Sequence, residues 1–213
     1  LHWGEAFGKN YELPNMTAYN ETCAAISMVY LNERMFLLHG ESKYIDCLER
    51  TLYNGVISGM SMDGGRFFYP NPLSSDGKYA FNADNTKTRQ PWFGCACCPS
   101  NLCRFIPSVP GYLYGVKDNN IYVNLFAANT STIQVGGKDV VLEESTQYPW
   151  DGDIQIRVVK SAAKNANLLV RIPGWVQNQV LPSDLYKYSD TAKPAYIVSV
   201  NGKKVEKNAK DCH

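Results

Sequence analysis

No apolar run in this chain approaches the roughly 20 consecutive residues that a membrane-spanning helix needs, so no span is expected. An excess of charge is missing as well, with 21 basic residues against 20 acidic ones. Without a net field, nothing favours a nucleic-acid backbone or an anionic bilayer, and partners must be argued from local sites. The opening residues "LHWGEAFGKN" have neither the basic start nor the apolar stretch of a secretory leader, and the mature chain is expected to be soluble. Internal repeats and low-complexity tracts are absent. Paired C-x-x-C knuckles are absent too, although the chain has 7 cysteines. An odd number cannot be paired off within one chain, so at least one thiol does something other than form a disulfide. Adjacent Cys97 and Cys98 would bridge only through a strained small ring. A disulfide-built secreted scaffold is therefore disfavoured at this length.

What is present divides into two halves. The 213 residues, 45% of them hydrophobic, suffice for one large or two small domains with a buried core. From residue 20 to 60 the apolar spacing is helical: Ala25, Met28, Val29, Leu31 and Phe36 follow a three-and-four rhythm from a cap at Asn20 to a stop at Gly40. A second helix follows from Ser42, with Ile45, Leu48, Leu52, Val56 and Ile57 as its buried stripe. The next stretch, "SMDGGRFFYPNPLSSDGKYAFNADNTKTRQP", is too long for a plain connector and reads as a functional loop. Pro99 at a first helical position is expected to open a third, short helix through Ser100, Asn101, Leu102, Arg104 and Phe105. After Pro110 the period becomes two, and runs such as "IYVNLF", "VVLEES", "DIQIRVV" and "YIVSV", separated by turns at Asp118-Asn119-Asn120 and Gly136-Gly137, predict an antiparallel β-sandwich. The boundary is placed near residue 111. Few helices precede it, and they need neighbours to cover their apolar faces, so a preceding helical region is expected.

The chemistry concentrates in "WFGCACCPSN", which carries Cys95, Cys97 and Cys98, and in "TAYNETCAA", which carries Glu21 and Cys23. In a regular helix Glu21 and Cys23 diverge by about 200°, but an irregular first turn can aim both at one place. With Cys97 and Cys98 they supply three thiolates and a carboxylate, a donor set that suits tetrahedral zinc. The competing reading makes Cys23 a small buried hydrophobe and Glu21 a favourable first-turn acid. Cys97 and Cys98 also sit at the start of a helix, where the positive helix end and a metal would lower a thiol pKa enough to provide a nucleophile. The same two residues can equally be structural ligands. Glu5 lies between Trp3 and Phe7, and a carboxyl among aromatic rings has its charged form disfavoured, which suits a general acid. Glu12 has similar flanks, and a lone glutamate is commonly a surface residue. The run Phe67, Phe68, Tyr69 can line a sugar pocket or simply fill core. Sequons at Asn15, Asn20 and Asn129 matter only in a eukaryotic secretory pathway.

Three ordered blocks go further: "GEAFGKNYELPNMTAYNETCA", "YIDCLERTLYNGVISGMSMDGGRFFYPNPL" and "WFGCACCPSNLCRF". Over about residues 3 to 116 the chain resembles glycoside hydrolase family 127 and its relative family 146, the β-L-arabinofuranosidases, and "VRIPGW" and "VSVNGK" are similar to their β-domain. The resemblance implies an α+β multidomain fold: residues 1–111 as the last helices of an (α/α)₆ catalytic barrel, and residues 112–213 as a β-sandwich whose closing strand is not recognisable in "AKDCH". It implies Cys97 as nucleophile, Glu5 as general acid/base, and Glu21, Cys23, Cys97 and Cys98 as ligands of Zn²⁺. Cys95 would be a supporting thiol, and Tyr69 would lie beside the nucleophile against substrate. The implied reaction is retaining hydrolysis of β-L-arabinofuranosyl groups from an arabinose-containing oligosaccharide or glycoprotein, in a bacterial protein that is periplasmic, secreted or cytoplasmic. The family's upstream barrel residues are missing from the chain, which alone is expected to be inactive. The alternative is a non-enzymatic, zinc-stapled carbohydrate-binding or interaction module.

Overall fold

The computed structural model describes residues 5–6, 8–190 and 195–205. His2, Trp3, Phe7 and the terminal "AKDCH" lie outside the described residues. The chain forms two compact units, one from residues 1–34 and 47–108 and the other from residues 35–46 and 109–213. No helix among the described residues is long and apolar enough to cross a membrane.

Helix α1 runs Thr22–His39 and α2 runs Ser42–Thr51. The first stops where expected, with the Gly40 N–H donating to the Phe36 carbonyl at 2.7 Å. Its start is later than a cap at Asn20 requires, because residues 20–22 pair instead with the long loop: the Asn71 N–H donates to Asn20 O at 2.7 Å and the Thr22 N–H to Tyr69 O at 2.9 Å. The stripe predicted for α2 is buried at Ile45, Leu48, Leu52 and Val56, but Ile57 is 37% exposed. Residues Leu52–Val56 wind as a π-helix and Ile57–Gly59 as a 3₁₀ turn, and the wider turn carries the next residue out of phase with the stripe. Helix α3 spans Cys97–Phe105 and so begins two residues before the expected start at Pro99, which lies in the first turn, where a missing N–H costs no intrahelical bond.

The long loop has little regular structure, yet it is pinned. Phe67 bridges both Met60 and Gln90, Asn82 bridges Thr86, and Pro70 bridges Glu21. The first unit's core gathers Ile26, Val29, Leu48, Leu52, Val56, Phe67, Phe81, Phe93, Leu102 and Phe105, all buried.

In the second unit, strands β1 (Tyr114–Lys117), β2 (Asn120–Val123) and β6 (Asn167–Val170) form one sheet. Strands β3 (Asn129–Val135), β4 (Lys138–Thr146) and β5 (Ile154–Ser161) form a second. Strands β7 (Ser199–Val200) and β8 (Lys203–Lys204) make a short ribbon. Every pairing is antiparallel except β2 with β6, which is parallel. Gly136 and Gly137, with φ of 56° and 74°, supply the left-handed pair that a two-residue hairpin needs between β3 and β4. Ile121, Ile133, Val135, Val140 and Leu142 form one apolar cluster. Arg171 is fully buried, donating to Asp46 Oδ1 and to Asn124 O at 2.6 Å each.

Candidate active site

Three segments of the first unit converge: the start of α1, the start of α3 and the Tyr69 region of the loop. The Glu21–Pro70 bridge and the Thr22–Tyr69 hydrogen bond hold the first and third together as a short antiparallel pair. Glu21 therefore precedes the helix while Cys23 lies within it, and the two side chains are not bound to the angular divergence of a regular helix.

Their donor atoms and those of Cys97 and Cys98 all lie within 4.8 Å of one another. Glu21 Oε1 is 3.6 Å from Cys97 Sγ and 3.5 Å from Cys98 Sγ. A tetrahedral zinc with sulfur at about 2.3 Å and oxygen at about 2.1 Å sets such S···O edges at about 3.6 Å. The donor set and its spacing thus fit a thiophilic divalent cation. Electrostatics point the same way. Cys23 is lowered to about 7, chiefly because the Cys98 S–H donates to it, and Cys98 is raised by the loss of that same bond on ionisation. Burial pushes Cys97 up to about 11. Of the three thiols only Cys23 is lowered while Cys97 and Cys98 are raised, and a bound cation would favour the ionised form of all three.

Cys98 is fully buried, whereas Cys97 is half-buried and has the Tyr69 hydroxyl 2.7 Å from its sulfur. A thiol there donates to the phenol oxygen, and a thiolate accepts from the phenol. Burial, and then that bond to Cys97, raise the Tyr69 pKa. Cys95 is exposed, and no disulfide joins any two of the described cysteines. Glu5 is exposed in a turn with φ of 59°.

Sequence reasoning missed three residues here. Burial raises Tyr19 to about 12, with further contributions from Glu21, Glu5, Cys98 and Cys97, so its hydroxyl lies in the fields of both Glu5 and the thiol cluster. Asn101 hydrogen-bonds Cys23, and its place four residues after Cys97 on α3 is a spacing that could have revealed it. Asn82, 2% exposed, accepts from the Tyr69 N–H at 2.8 Å, a contact across the loop with no local signature.

Residues 1–111 match the sequence model of the beta-L-arabinofuranosidase GH127 catalytic domain, and residues 120–213 match that of the GH127 middle domain. A non-reducing end beta-L-arabinofuranosidase of Bifidobacterium longum is 35% identical over 210 residues, which is 95% of this chain and 29% of that protein. The solved structure of a GH127 beta-arabinofuranosidase superposes with a TM-score of 0.92 at 58% identity, covering 99% of this chain and 32% of the other. The crystal structure of a GH127 beta-L-arabinofuranosidase from Geobacillus stearothermophilus T6 gives a TM-score of 0.81 at 38% identity, covering 98% of this chain and 31% of the other. The chain thus spans about a third of the length of the relatives it matches. Matched along both halves and carrying the Glu21, Cys23, Cys97 and Cys98 cluster, it belongs to the beta-L-arabinofuranosidase family GH127.

Proposed function

We propose that the chain carries the nucleophile, the metal ligands and the general acid/base of a retaining glycoside hydrolase that removes β-L-arabinofuranosyl groups from plant glycans or glycoproteins. The observation that carries the reading is the cluster of three thiols and one carboxylate in which Cys97 is half-buried and hydrogen-bonded to a phenol. Glu21, Cys23, Cys97 and Cys98 would hold zinc, which when bound keeps the thiols deprotonated at neutral pH. The helices of residues 1–111 would close an (α/α)₆ barrel, and residues 112–213 would form a β-sandwich. Leu31, 55% exposed, and Leu38, 69% exposed, are the kind of surface that further helices would cover.

In the first step Cys97 Sγ attacks the anomeric carbon while Glu5 gives its proton to the leaving oxygen, so a C–S bond forms as the glycosidic C–O bond breaks. Tyr69 holds the sulfur in line. In the second step a water loses a proton to Glu5 and attacks the same carbon, the C–S bond breaks, and the returning thiolate accepts again from the Tyr69 hydroxyl. Tyr19 is in the fields of both Glu5 and the thiols. Cys95 is a nearby supporting thiol. The chain alone is expected to be inactive, since half of the pocket would come from helices outside it.

The test pairs metal analysis with turnover of an aryl β-L-arabinofuranoside by the full-length protein. One zinc per chain is expected, with Glu5→Gln lowering kcat by about 10²- to 10⁴-fold. Full turnover by Glu5→Gln would overturn the enzymatic assignment. Sugar binding without any turnover, in wild type and variant alike, would leave a zinc-stapled carbohydrate-binding module.

A further inference from the structure

Tyr69 is held from both sides of its own peptide. Its carbonyl accepts from the Thr22 N–H at 2.9 Å and from the Thr22 hydroxyl at 3.1 Å, which ties it to the helix that carries Cys23. Its N–H goes the other way, to Asn82 Oδ1 at 2.8 Å. Its ring packs edge-on against Phe93, with centroids 5.7 Å apart. These contacts determine where the hydroxyl ends, and it ends 2.7 Å from Cys97 Sγ.

Asn82 is built for this role. It is 2% exposed, and both ends of its amide are engaged. Besides the Tyr69 N–H, Oδ1 accepts from the Ala83 N–H at 3.0 Å, while Nδ2 donates to the Thr88 carbonyl at 2.9 Å. Its own N–H donates to Thr86 O at 2.9 Å, closing a small turn around the side chain. The amide therefore has one orientation, because reversing it would set a donor against the Tyr69 N–H and an acceptor against the Thr88 carbonyl. A loop residue 13 positions beyond Tyr69 thereby places the side chain that touches Cys97.

We propose that Asn82 is a positioning residue, which fixes the Tyr69 backbone so that the phenol hydroxyl stays on the Cys97 sulfur. The inference rests on the reading of Cys97 as the nucleophile. Without Asn82, the Tyr69 N–H loses its buried partner and the residue shifts to find another. A displacement of about 1 Å at a reacting group is enough to cost on the order of 10²-fold in rate.

The experiment uses the full-length enzyme with Asn82→Ala, Asn82→Asp, Tyr69→Phe, the double variant Asn82→Ala/Tyr69→Phe, and Cys97→Ser. Asn82→Ala is expected to lower kcat by about 10- to 100-fold with KM changed by less than about twofold. Asn82→Asp, which keeps an acceptor for the Tyr69 N–H but sets a second oxygen against the Thr88 carbonyl, should recover part of that loss. In the Tyr69→Phe background Asn82→Ala should add little, since the hydroxyl through which it acts is already gone. A crystal structure of Asn82→Ala should show the Tyr69 Oη to Cys97 Sγ distance lengthened with zinc still bound. An equal loss from Asn82→Ala in both backgrounds, or an unchanged Oη to Sγ distance, would overturn the proposal alone. Turnover retained by Cys97→Ser would overturn the nucleophile assignment and this proposal with it. Should Asn82→Ala fail to fold, the Asn82→Asp enzyme carries the same coupling and distance tests, with smaller expected effects in the same directions.

Discussion

Cys97 and Cys98 are adjacent in the chain and unlike in surroundings. Cys98 is fully buried, with its S–H donated to Cys23, whereas Cys97 is half-buried beneath the Tyr69 hydroxyl. Their substitution should separate the two roles proposed for them. Cys98→Ser removes a thiolate ligand and is expected to lower zinc affinity at least as much as the 10- to 100-fold typical of losing a partner that only orients a ligand. Titration with a chromogenic chelator measures this. Cys97→Ser should in addition abolish the covalent adduct formed with a slow arabinofuranoside substrate, which intact-mass spectrometry reads directly. An adduct that survives Cys97→Ser would place the nucleophile elsewhere. The residue types at this site were legible from the "CACC" and "YNETC" motifs, because thiolate and carboxylate chemistry is carried by the side chain itself. Tyr19, Asn101 and Asn82 were not, because amides and phenols are common and only their neighbours give them a role.

Among the elements, the junction of the 3₁₀ turn at Ile57–Gly59 with the start of α1 is tight. A Cβ at Gly59 would stand 2.8 Å from Thr22 Oγ1, and Thr22 sits between two proposed ligands. Gly59→Ala should therefore displace Thr22, costing about 1–3 kcal/mol and weakening metal binding together with stability. Paired denaturant melts and zinc titrations check it, and a loss of stability with unchanged zinc affinity would disconnect the turn from the site. On β4, Glu144 is 2% exposed and accepts from the Tyr114 hydroxyl at 3.1 Å. Its other oxygen has no hydrogen-bond partner among the described residues. Burial raises this carboxyl from 4.5 to about 7. Below pH 4.5 both folded and unfolded chains hold the proton; between 4.5 and about 7 only the folded chain does. Stability from this group is thus fully present below pH 4.5 and is lost as pH rises through about 7, by about 3 kcal/mol in all. Glu144→Gln should flatten that slope in melts recorded across this range.

For the molecule as a whole, each unit has its own polar anchor. In the second, Arg171 and Asp46 are 125 residues apart in sequence and paired at 2.6 Å, with the arginine fully buried. Breaking such a pair from one side leaves an uncompensated buried charge, so Asp46→Ala is expected to cost about 3–5 kcal/mol. A volume-matched Arg171→Met/Asp46→Leu double variant should recover much of that in urea unfolding. In the first unit the cluster of Glu21, Cys23, Cys97 and Cys98 joins the start of α1 to the start of α3, and chelation of the zinc proposed there should lower Tm, because such a metal would bind the folded donor set and not the dispersed one.

Local pattern alone sufficed for the helices from residue 22 to 51, for strands β2, β4, β5 and β7 at or overlapping the four quoted runs and for the Gly136-Gly137 turn, because local spacing and turn chemistry act over a few residues. Motif chemistry sufficed to bring Glu21, Cys23, Cys97 and Cys98 together as candidate ligands, whereas the place of Tyr69 beside Cys97 came only from the family resemblance. The tertiary structure decided what depends on long-range contact. The π-turn put Ile57 outside, β2 paired in parallel with β6 across 43 intervening residues, and the loop bent back so that Asn82 reaches the peptide of Tyr69. Such contacts arise from the balance of burial and hydrogen-bond satisfaction over the whole chain, which no short window of sequence contains.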